Sequence, residues 1–108
     1  MNFDINTVIS DMAMAIKGEV GENWDKVKTT ANQFLQNKKK RFALLAELRI
    51  SGDLSPEKFK SRLIDEKLVA EAELNALAVI SKAIAQNAAN AAIGVLEKAV
   101  NTAIETIL

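Results

Sequence analysis

The chain has 108 residues, 14 Lys and Arg against 14 Asp and Glu, and neither Cys nor His. Disulfides, thiolate or Ser-His-Asp nucleophiles and the usual zinc, copper and haem ligand sets are therefore excluded. Zero net charge removes any whole-molecule pull toward nucleic acid or an anionic bilayer, and 49% hydrophobic residues is too apolar for a disordered chain.

The length fits one helical domain, 1–108. The start, MNFDINTVISDMAMAIKG, has no basic n-region and no long apolar h-region, so no signal peptide is expected. No window comes near eighteen unbroken apolar residues, so no spanning helix is expected either, and a cytoplasmic protein is the expectation, with leaderless export left open.

Taken in chain order, the first predicted helix runs over about 4–17, where Ile5, Val8, Ile9, Met12 and Ile16 recur at helical spacing. Gly18 and Gly21 then mark a break or joint. A second helix is expected over about 22–50, with Trp24, Val27, Ala31, Phe34, Leu35, Phe42, Leu45 and Leu48 as its apolar stripe.

The turn at 51–55 carries the strongest local signal. Gly52 suits a left-handed C-terminal cap, Ser55 an N-cap, Pro56 the first helical turn, and Glu57 the positive end of the new helix dipole. From there a single helix over about 56–106 is expected, about 75 to 80 Å long at 1.5 Å per residue. Strand signals are lacking, so the fold class is all-α: a long antiparallel helical hairpin with a shorter N-terminal helix.

An antiparallel hairpin through that turn sets Leu48 against Phe59, Phe42 against Ile64, and Lys39 to Arg41 against Asp65 and Glu66. The second helix ends too early to cover the third beyond residue 84. The N-terminal helix either runs on beside that remainder, bringing Val8 near Ala99 and Met12 near Gly94 and Val95, or folds back on the hairpin. Both arrangements leave apolar surface that a second copy would have to cover, so a helical bundle completed by self-association is expected.

The uncovered remainder begins AIAQNAANAAIGVL. At 100° per residue its alanines gather on one face and Gln86, Asn87 and Asn90 fall opposite, while Ile93 and Ile104 lie at or beyond the edge as a second contact. Ala85, Ala89, Ala92, Leu96, Ala99, Val100, Ala103 and Ile107, with Ile5, Val8 and Met12 from the first helix, are the expected partner interface. Small side chains there let helix axes approach closely.

Other candidates are weaker. The run Lys38 to Arg41 lacks interleaved aromatics and reads as a solvated or cross-helix charge cluster, so no nucleic acid is expected as a partner. The carboxylates Asp65, Glu66, Glu71 and Glu73 have Lys counter-charges nearby, which favours ionised, solvated groups over acid–base catalysis. Trp24 reads as a core or interface anchor, and Met14 lies off the apolar stripe.

The sequence thus points to a non-catalytic structural or protein-interaction module without cofactor or metal. Its expected partners are a second copy, a dimer being favoured, or another helical protein. The alternative is reversible association with a membrane surface or lipid body through the same C-terminal half.

Overall fold

The computed structural model describes residues 3–107 and is all-α, with no strand among those residues. The elements are α1 (Ile5–Val20), one 3-10 turn (Gly21–Asn23), α2 (Trp24–Ser51), α3 (Pro56–Asn75) and α4 (Lys82–Ile107).

Asp4 starts α1 as its N-cap, accepting hydrogen bonds from the Asn6 amide at 3.0 Å and the Thr7 hydroxyl at 3.1 Å. The helix runs through Gly18 and stops at Gly21, whose φ of 56° and ψ of −122° suit glycine alone. Its face of Val8, Ile9, Met12, Ile16 and Val20 is buried.

The α2–α3 turn is built from the residues that mark it in the sequence. Gly52, at φ 89°, donates its amide to the Arg49 carbonyl, and the Leu54 amide donates to Leu48 at 3.0 Å. Ser55 caps α3 by accepting from the Lys58 amide at 3.2 Å, and Pro56 follows in the first turn. Leu54 buries its side chain under the turn.

The expected helix over 56–106 is two helices. α3 ends at Asn75, and residues 76–81 form a non-helical connection in which Ala78 has φ +56°, the only positive φ outside glycine among the described residues. Amides of Leu77 and Ala78 close the end of α3 on the carbonyls of Leu74 and Asn75. Ser81 then begins α4, its hydroxyl accepting from the Ile84 amide at 3.1 Å and its carbonyl from the Ala85 amide at 2.9 Å.

This break changes the packing. α1 lies against α2 and α4, α3 lies against α2 and α4, and α2 touches α4 across the centre, so one chain closes its own core. The molecule measures 42 × 23 × 20 Å, about half as long as an unbroken third helix would require. The part of α4 that the second helix was expected to leave open is covered by α1, the helix set beside it in one of the two expected arrangements.

Phe42, Met12, Ile16, Leu35, Leu63 and Leu96 are fully buried at the centre. The ring of Phe42 meets Phe34 edge-on, with centroids 6.3 Å apart, while Ile64, expected opposite Phe42, is 50% exposed.

Candidate functional site

The alanine-rich face of α4 is the candidate surface, and the structure brings it together with α1. Ala85, Ala89, Ala92, Leu96, Val100 and Ala103 are buried, as are Val8 and Met12 across the seam, while Ile5 and Ala99 are half-buried. The side chain of Ile107 lies outside the described residues. Small side chains dominate α4 here, and α1 is the helix with which α4 makes its largest interface.

Ile93, at the edge of the expected seam, is fully buried. α4 touches α3 and α2 as well as α1. Gln86, Asn87 and Asn90 face solvent. These amides lie on the exposed side of α4, and among the described residues no helix is long and apolar enough to cross a membrane.

Two properties define the α4 seat. First, among the described residues no side-chain hydrogen bond or ion pair joins α4 to another helix: the bonds of Ser81 and Thr106 stay local. Burial of apolar groups alone holds α4 in place. Second, α1 does not fill the seam completely. A groove of about 590 Å³ opens between the two helices, with Phe3, Val8, Val95 and Ala99 as apolar lining and Asp4, Asp11 and Lys98 at its polar parts. The shared lining by Val8 and Ala99 matches the pairing expected if the first helix lay beside the C-terminal one.

A polar cluster sits between α2 and α3. Glu66 is 2% exposed, on the same face of α3 as Leu63 and Ala70, and accepts a hydrogen bond from Arg41 Nε on its Oε1. Lys38 Nζ lies 3.4 Å from Oε2, within ion-pair range but off the hydrogen-bonding direction, so Oε2 has no hydrogen-bond partner. The sequence places this carboxylate among solvated charges; its i, i+3, i+7 spacing with Leu63 and Ala70 was the signal that it shares their buried face. Lys40 is exposed and Lys39 half-buried.

Glu66 is taken up by two cations, and Glu73 lines a separate polar depression of about 180 Å³ with Thr30, Asn37 and Lys38. Among the described residues no three Asp or Glu converge as a metal site. Trp24 packs half-buried against the core, and Met14 is 66% exposed.

Comparison with protein-family models, with curated proteins and with solved structures finds no match to this chain.

Proposed function

We propose that this chain is a non-catalytic helical association module of the cytoplasm that works through α4, with a second copy of itself as the favoured partner and a helix of another protein as the other candidate. The observation that carries this reading is the seat of α4: an alanine-faced, apolar interface with no polar tie among the described residues. Such a seat accepts any helix of the same face, because burial of small apolar groups is not directional. The groove beside Val8 and Ala99 adds apolar surface on the same seam. By contrast, α2 and α3 are keyed to each other by the Lys38, Arg41 and Glu66 charges.

Sedimentation equilibrium over a concentration series tests the reading. A monomer–dimer equilibrium reaching twice 11.8 kDa in the upper micromolar range supports it. A single species of 11.8 kDa at every concentration contradicts it.

A further inference from the structure

We infer that association occurs by exchange of α4 between two copies, through straightening of residues 76–81 into helix. The inference rests on the self-association reading above and names its mechanism.

The connection opens with three strong helix formers, Ala76, Leu77 and Ala78. Ala76-Leu77-Ala78-Val79-Ile80-Ser81 contains neither glycine nor proline, and Ala and Leu are among the strongest helix formers. Yet Ala78 is held at φ +56°, a conformation that favours glycine and costs an alanine about tenfold in equilibrium constant. The turn is therefore held by packing, that of α4 on its own chain and of Leu77 and Ile80 in the core, against the backbone preference of Ala78.

The apolar face also continues through the turn. Carried straight on as one helix, Phe59, Leu63, Ala70, Leu74 and Leu77 share a sector of about 140° with Ala85, Ala88, Ala92, Leu96 and Val100. All of these are buried in the folded chain except Leu77, which is half-buried. Straightening thus keeps the core faces of α3 and α4 in phase.

Two straightened copies related by a two-fold axis through residue 78 reproduce the packing of one copy. Each α4 would run back along the partner's α3 and enter the seat beside the partner's α1, with the same neighbours it has now. Both strained alanines are relieved, and the amides from Leu77 to Ser81 gain i→i−4 helical hydrogen bonds, Ala76 already having its own to Ala72. Opposing this, the connection holds α4 near its own seat at a local concentration of about millimolar order, so exchange is expected at high concentration or on refolding there.

The test uses the full-length chain with spin labels at Asp65→Cys and Asn90→Cys, both exposed positions, diluted in unlabelled protein so that only distances within one chain are read. With α3 and α4 side by side, the two positions lie under about 20 Å apart. In a straight helix 25 residues span about 37 Å. Refolding at high concentration is expected to give a dimer with the longer distance. Ala78→Gly, which removes the strain and weakens the helix, is expected to lower the dimerisation constant about a hundredfold or more. Ala78→Val, whose branched side chain tolerates positive φ least, is expected to raise the dimer fraction.

A dimer that keeps the short distance overturns the exchange and leaves association standing. A chain that stays monomeric in all three forms overturns both. Because glycine adopts the turn without strain, Ala78→Gly keeps the experiment readable if Ala78→Val folds poorly.

Discussion

Arg41 of α2 donates a hydrogen bond from Nε to Oε1 of Glu66, a carboxylate buried on α3 between the core residues Leu63 and Ala70. The pair joins two helices on a face of α3 whose buried neighbours one turn to either side, Leu63 and Ala70, are apolar. Burial of that charge opposes folding, and the Arg41 and Lys38 cations offset it.

Removing one partner therefore differs from removing the charge. Arg41→Ala is expected to destabilise the fold by about 1 to 2 kcal/mol, below the cost for a fully buried pair because the Arg41 side chain is 50% exposed and Lys38 remains. Glu66→Leu fills the same space without a charge and is expected to be neutral or stabilising by about 1 kcal/mol. Urea unfolding of the two variants checks the order, and a large loss in Glu66→Leu would assign the pair a net stabilising role.

The alanine seam predicts sensitivity to size. Ala92→Leu adds three carbons where α4 is buried, and is expected to cost about 1 to 3 kcal/mol by overpacking. Asn87→Ala on the exposed side is expected to gain a few tenths of a kcal/mol, since alanine is the better helix former. Thermal unfolding followed by circular dichroism separates the two.

Glycine substitutions test the backbone separately from packing. A Cβ would meet nothing within 4 Å at Gly21 or at Gly94. Gly21→Ala is nevertheless expected to cost about 1 to 2 kcal/mol, through the strained φ alone. Gly94→Ala lies inside α4 at ordinary helical geometry and is expected to gain about 0.5 to 1 kcal/mol. Chemical denaturation midpoints of opposite sign are the expected readout.

Loss of the α4 cap is the fourth expectation. Ser81→Ala removes the acceptor for the Ile84 amide and is expected to cost about 1 kcal/mol, with faster amide exchange confined to the first turn of α4. Uniformly faster exchange along all four helices would show that the cap is coupled to the whole fold.

The turn at 52–55 was legible because its residues act locally: a glycine at positive φ, a serine cap and a proline each specify their own backbone. The break at 76–81 was not, because its local signals argue for helix. Only Ser81 hints at a new start, and a lone serine on a helical stretch is ordinary. The buried face of α4 was legible from spacing, and α1 beside it was one of two covers the sequence allowed; the choice between them depends on where the chain reverses. Once the break is in place, α1 reaches α4 and α2 together. For Glu66 the hairpin register gave the partner, Arg41, but not the burial, because a carboxylate is ordinarily solvated and only its helical phase with Leu63 and Ala70 marks the buried face.

The fold-back of α4 onto its own chain is the claim on which the rest depends, and small-angle X-ray scattering of the dilute protein tests it most directly. The expected particle has a mass of 11.8 kDa and a maximum dimension near the 42 Å long axis plus a hydration layer. A particle of that mass extending to about 80 Å, the length of an unbroken helix over 56–106, would contradict the account.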